Sequence, residues 1–251
     1  MRETDFIGGF AKGLKVIEAF GEASPRLTIA EIAKQTGLDR ATARRCLLTL
    51  SELGYAHYDG KYFELTPRIL RLGHSYLSAT TLPRLIQPFL DQLSDKVGQS
   101  ASASVLDGNE IVYVARASQK RVMSINLMAG SRLPAYCASM GRVLLANLSA
   151  SEARLILENS QREKLTDRTL TEVPALVAEL DNIRSLGFAI NDQEIELGLC
   201  SIAVPLMDRK GRVVAAINIG APASVVPADD LAQRFLAPML EVQRSVQPLL
   251  G

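Results

Sequence analysis

Tryptophan is absent from the 251 residues, histidine occurs twice and cysteine three times. Each shortage excludes something. His57 and His74 both fall in the first third of the chain, so imidazole acid–base chemistry is excluded from everything beyond it. Cys46, Cys137 and Cys200 are odd in number and far apart. They form no disulfide framework and no zinc cluster, and they fit a reducing, cytoplasmic location. No apolar run approaches the roughly 20 residues of a membrane span. The opening Met1-Arg-Glu-Thr-Asp-Phe lacks the apolar segment of a signal peptide. With a formal net charge of +1, the chain as a whole is no polybasic binder, so any nucleic-acid surface must be a local patch.

Catalytic signatures are missing as well. There is no HExxH, P-loop or strand-borne GxGxxG. Ala138-Ser139-Met140-Gly141 lacks the first glycine of a nucleophile elbow, and no histidine follows it. Asp192, Glu194 and Glu196 alternate as on a strand and read as one exposed face with one or two pocket or hinge residues. Cys137 and Cys200 read as small buried hydrophobes. The expectation is a binding protein, not an enzyme, with no cofactor and no metal.

What is present is concentrated near the N-terminus. Phe10 to Phe20 places apolar residues at helical spacing. Thr28 with Glu31 three residues on forms a capping box for a second helix, which Gly37 ends. Asp39 caps a third, whose buried stripe is Ala43, Leu47 and Leu50, and Gly54 stops it. That stripe leaves Arg40, Ala41, Thr42, Arg44 and Arg45 for the outside, where arginines suit phosphate oxygens and guanine edges. Two short aromatic strands follow, joined at Asp59-Gly60, with Tyr58 and Lys61 at the tip. The order is that of a winged helix-turn-helix, and its natural partner is double-stranded operator DNA.

The remainder reads as α+β. Thr66-Pro67 starts a linker helix running to about Ala79, with apolar Ile69, Leu70, Leu72, Tyr76 and Leu77. Thr80-Thr-Leu-Pro83 breaks the pattern. The domains are therefore expected at residues 1–66 (DNA-binding), 67–81 (linker) and 82–251. A helix at Pro83–Val97 opens the last of these. A hairpin at 101–115 turns at Asp107-Gly-Asn109, and a strand follows over Val122–Met128. Helices are expected at Ala138–Asn147, after the capping box Ser149–Glu152, and at Pro174–Leu186. Strands are expected at Phe188–Asn191, Ser201–Met207 and Arg212–Gly220. A final helix from Ala228 to Leu249 should bend or restart at Pro238. Together these suggest an antiparallel sheet with helices on its faces. The stretch Gly130 to Arg142 leads into the helix Val143-Leu-Leu-Ala. There the free helix N–H groups and the Ser139 hydroxyl could receive a small carboxylate, and Tyr136 and Met140 could cover its aromatic or aliphatic body.

Three blocks carry a resemblance over nearly the whole chain. They are Leu38-Asp-Arg-Ala-Thr-Ala-Arg-Arg45 with Leu50-Ser-Glu-Leu-Gly-Tyr55; Gly130-x-x-x-Pro134 with Gly141-Arg-x-Leu-Leu-Ala146; and Gly187-Phe-Ala-Ile-Asn-Asp-Gln-Glu194 followed by Gly198-x-x-Ser-Ile-Ala-Val-Pro205. The chain resembles the IclR family of bacterial transcriptional regulators. The wording from Arg132 to Arg142 and from Asp192 to Leu199 is similar to the subgroup governing protocatechuate, 4-hydroxybenzoate and β-ketoadipate catabolism, the PcaR, PcaU and PobR type.

The resemblance implies a GAF-like effector domain with a cavity beside a curved antiparallel sheet. Its cavity positions match Val122, Ile125, Leu133, Ser139, Met140, Asn191, Leu199, Ser201, Asn218 and Gly220. It also implies dimers through the DNA-binding part, often tetramers as dimers of dimers. Two departures stand out. Asn191 replaces a usual Asp, removing a negative charge where an anion would bind, and Ala41 replaces a usual Ser. Arg132, Arg116 or the helix N-terminus could pair the effector's carboxylate; the sequence does not choose. The subgroup leans toward an activator, for which RNA polymerase is a further partner. The alternative is an IclR-type repressor responding to a different small organic acid.

Overall fold

Val16, Ile32, Ala43, Leu47 and Phe63 lose all but a trace of their solvent contact together, and the first of two units is built around them. The computed structural model describes residues 5–21, 23–119 and 127–250, and the chain divides between Tyr76 and Leu77. In the first unit, helices α1 (Gly8–Glu18), α2 (Ile29–Thr36) and α3 (Arg40–Glu52) pack beside three short strands, β1 (Arg26–Leu27), β2 (Ala56–Tyr58) and β3 (Phe63–Leu65). The strand order is β1-β3-β2, all antiparallel. Strand β1 lies where the sequence suggests only a turn. At two residues it is too short to show alternation.

The punctuation is as the side chains dictate. Thr28 and Glu31 form the reciprocal capping box of α2, and Gly37 ends that helix in the left-handed region at φ +69°. Asp39 accepts from the Thr42 N–H at the start of α3. Thr66 accepts from the Arg68 N–H and opens a 3-10 turn over Pro67–Ile69, which runs into α4 (Leu70–Ala79). The break expected over Thr80–Pro83 is confined to Thr80, because α5 (Thr81–Val97) takes Pro83 into its first turn, where no N–H partner is needed.

The second unit is a six-stranded antiparallel sheet in the order β6-β5-β4-β9-β8-β7. Its strands are β4 (Ser100–Asp107), β5 (Glu110–Ala117), β6 (Arg132–Pro134), β7 (Ala189–Asp192), β8 (Leu199–Met207) and β9 (Val213–Pro222). Helices α5 and α9 (Ala228–Val246) cover one face, over Leu90, Ile202, Ile217 and Met239. On the other face lie α6 (Ser139–Ala146), α7 (Ala150–Asn159) and α8 (Val173–Leu186), over Ile111, Leu145, Leu180 and Ala203. Strand β8 is buried on both sides, so it reads as a continuous apolar run.

Two expectations change. Of the strand expected over 122–128, residues 122–126 lie outside the described residues, and Leu127 and Met128 are not in a strand. Of the bend or restart expected at Pro238, the restart does not occur, because α9 is continuous from Ala228 to Val246. Leu231, Phe235, Met239 and Val246 are buried along its face, and that burial outweighs the roughly 3 kcal/mol of an interior proline.

Candidate nucleic-acid interface and ligand cavity

Helix α3 turns Ala43, Leu47 and Leu50 into the core, which leaves Arg40, Ala41, Arg44 and Arg45 exposed. None of these three arginines is ion-paired to another described residue, so their charge is available to an incoming anion. Thr42 departs from expectation. It is 7% exposed, one position before the core residue Ala43, and its hydroxyl accepts from Arg45 Nη2 at 3.2 Å. It therefore shapes Arg45 from behind and does not itself face outward.

The hairpin tip is held by its own side chains. Asp59 accepts from the N–H groups of Lys61 and Tyr62 at 2.8 and 2.7 Å and is ion-paired to Arg26. Those bonds hold its carboxyl below the ordinary carboxylate value, the Tyr62 N–H contributing most. Tyr58 stacks on Phe63 with ring centroids 4.3 Å apart and donates its hydroxyl proton to the Gly60 carbonyl at 2.6 Å. Lys61 is exposed, its ammonium 4.9 Å from the Tyr62 ring centre. A hydrogen-bonded tip carrying an exposed lysine, together with an arginine-lined helix, fits a wing and a recognition helix.

In the second unit, a cavity lies between the sheet and the start of α6. Leu133, Ser139, Met140, Leu199, Ser201 and Asn218, among the positions the family resemblance implies, line it. Ile111, Tyr113, Arg116, Leu127, Ala138 and Ile195 line it too. Of these only Arg116 was singled out by sequence, as one of three candidate carboxylate partners. The hydroxyls of Ser139 and Ser201 are 2.9 Å apart, joining α6 to β8. Burial pushes the Tyr113 hydroxyl up to about 12, so it is a neutral donor at physiological pH. The interior volume is about 30 Å³.

Other expected positions lie elsewhere. Arg132 is exposed on β6 and ion-paired at 2.7 Å to both Asp107 and Glu110, a consequence of the outward register of a β-edge. Those bonds, Glu110 first, hold its guanidinium above its ordinary value. Tyr136 is buried behind the cavity, its hydroxyl donating to the Glu163 carbonyl. Asn191 is 1% exposed. Its amide donates to the Cys137 carbonyl and its oxygen accepts from the Glu194 N–H. It is thus a loop tie, and an aspartate would lack the donor. Gly220 is paired with Ser201 and Ser100, beside the lining residue Leu199. Val122 and Ile125 lie outside the described residues.

Of Asp192, Glu194 and Glu196, read as one face with one or two pocket or hinge residues, two have distinct partners. Glu194 turns inward to Arg142, while Asp192 is paired with Arg168. Burial pushes the Cys137 and Cys200 thiols up to about 12, so neither is a ready thiolate. Among the described residues, no group of three or more metal-ligating side chains converges, and no helix is long and apolar enough to cross a membrane.

Both units match known families. Residues 10–60 match the IclR helix-turn-helix domain, and residues 74–247 match the bacterial transcriptional regulator IclR C-terminal family. This chain belongs to the IclR family of transcriptional regulators. It is 44% identical to the Pca regulon regulatory protein of Pseudomonas putida, over 97% of this chain and 84% of that one. It is 40% identical to the p-hydroxybenzoate hydroxylase transcriptional activator of Acinetobacter baylyi, over 87% and 82% of the two chains. A crystal structure of a transcriptional regulator from Rhodococcus sp. RHA1 superposes with a TM-score of 0.81 at 44% identity, covering 96% of this chain and 97% of that one. The family regulates transcription and its members are not enzymes. This IclR protein is thus similar, over most of its length, to the Pca regulon and p-hydroxybenzoate hydroxylase regulators.

Proposed function

We propose that this protein activates genes of aromatic-acid catabolism when a small carboxylate, such as protocatechuate, 4-hydroxybenzoate or β-ketoadipate, enters the cavity of its second unit. The observation that carries this reading is the cavity's lining. Apolar walls enclose a few convergent polar groups, Ser139, Ser201, Asn218 and Arg116, the pattern of a small-molecule site. Its volume is well below the roughly 300 Å³ of such sites, so an aromatic ring enters only as Met140 and Leu127 move aside. Met140 is the most adaptable of those side chains.

Residues 1–66 hold operator DNA through α3 and the wing, 67–81 link, and 82–251 bind effector. The ligand biases the arrangement of the two units by its differential affinity for the alternatives. The protein acts in the cytoplasm as a homodimer or a dimer of dimers, and activation brings it against RNA polymerase.

Thermal shift with an acid panel tests the effector. At about 100 times its Kd, the right acid stabilises by roughly 2.7 kcal/mol. Transcription in vitro from the adjacent promoter, with and without that acid, tests the sign. No shift with any member of the panel sinks the effector class, and repression relieved by the acid overturns the activator assignment.

A further inference from the structure

Ser102 stands opposite Arg116 across β4 and β5, and Ser104 opposite Tyr113. Tyr113 and Arg116 are three residues apart, so regular alternation would send them to opposite faces of the sheet. The register shift between Ala103 and Ser104 leaves one extra residue, Val114, in β5. This bulge turns Tyr113 and Arg116 to the same face, and both line the cavity.

Arg116 is fixed at both ends. At the backbone, Gln87 of α5 pairs with it. Its amide donates to the Arg116 carbonyl at 3.0 Å, and its oxygen accepts from the Arg116 N–H at 3.3 Å. At the head, Nη1 donates to the hydroxyl of fully buried Ser102 at 2.8 Å.

What Arg116 lacks is an anion. Arg132 holds Asp107 and Glu110, and Arg142 holds Glu194. No described carboxylate is paired with Arg116, and burial lowers its guanidinium from the ordinary value. A half-buried cation with no described counter-charge is a favourable partner for an entering anion.

We propose that Arg116 is the receptor for the effector's carboxylate, held in place by Ser102 and Gln87. This rests on the reading that the cavity takes a small carboxylate. Donors at Arg116 remain for a planar, forked contact with a carboxylate.

Calorimetric titration of the full chain tests the assignment, using 4-hydroxybenzoate, protocatechuate and β-ketoadipate, with 4-hydroxybenzamide as the neutral counterpart. The wild-type chain is expected to prefer the acid to the amide. Arg116→Met should lose about 30-fold or more of the acid affinity and abolish that preference, without lowering the melting temperature of the unliganded protein. Arg116→Lys should keep the preference at reduced affinity, because it retains the charge but not the fork. Arg132→Met should bind as wild type.

An acid-over-amide preference surviving in Arg116→Met, or acid affinity unchanged in Arg116→Lys, overturns the assignment and moves the carboxylate elsewhere, such as to the start of α6. A lowered melting temperature with the preference intact makes Arg116 structural, which also overturns it. If the wild-type chain binds none of the acids, the carboxylate reading fails and the proposal falls with it.

Discussion

Arg142 of α6 and Glu194, just beyond β7, form a buried two-pronged ion pair, Nη1 and Nη2 reaching the two carboxylate oxygens at 2.5 and 2.6 Å. Arg142 Nε also donates to the Tyr136 carbonyl, and Glu194 accepts from the Leu170 N–H at 2.8 Å. The pair therefore ties the helix beside the cavity to the loop carrying Ile195, which lines it. The side chains are 3% and 11% exposed, so removing one leaves the other charged and dry. Glu194→Gln should destabilise the protein by about 3 kcal/mol. The double change Arg142→Met, Glu194→Leu should recover part of that loss. Urea unfolding of the wild type and the two variants checks both. Near-wild-type stability for Glu194→Gln would mean that water already reaches the pair.

Gly141 lies in the first turn of the cavity helix, and its lack of a side chain is a packing requirement. A Cβ there would collide with the backbone of Ala135, which cannot move as a flexible side chain could. Elsewhere in a helix, Gly→Ala gains up to about 1 kcal/mol. Here the sign should reverse, with Gly141→Ala costing about 2 kcal/mol. Gly73→Ala in α4, where nothing lies within 4 Å, should be neutral or stabilising. Thermal melts of the two variants decide it, and a stabilised Gly141→Ala would refute the close approach.

The first unit was largely legible in the sequence because short-range chemistry sets it. Capping by Thr28 and Asp39, the stop at Gly37 and the turn at Asp59-Gly60 each act within four residues. The cavity was less legible. Arg116 and Arg132 look alike in sequence. What separates them is a bulge at Val114 and a pairing across strands with Asp107 and Glu110, neither of which leaves a local pattern. Thr42 misled for a similar reason. Its position beside Ala43 makes it a boundary residue, and only packing shows which side it falls on.

The exposed arginines of α3 make a prediction about salt as well as affinity. Arg45 is exposed, rests against Thr42 and has no ion pair with a described acid. A phosphate contact there releases counterions from DNA, so losing it should flatten the dependence of log affinity on log salt by about 0.9. Arg45→Ala should weaken binding to a duplex selected by the wild-type protein and show that smaller slope. Gel-shift titrations at several salt concentrations measure both. Unchanged affinity and slope would remove Arg45 from the interface. Loss of affinity for one sequence only would make it a base reader.

A dimer through the first unit, which the family resemblance implies, would have a specific weak point. Phe10 and Leu14 of α1 and Leu72 of α4 border an apolar groove of about 570 Å³, continued by Leu50 and Leu53 of α3. Phe10 is 67% exposed and Leu70, on the same short helix as Leu72, is 70% exposed. A single chain gains nothing from such a patch. A second copy would bury it symmetrically, and a two-fold pair of recognition helices needs two copies. Phe10→Asp places a charge in that contact while leaving the core around Val16 intact. It should shift the chain toward monomers in sedimentation equilibrium and weaken operator binding, with the far-UV circular dichroism unchanged. If the mass stays that of the wild-type assembly, the groove is not the contact between copies.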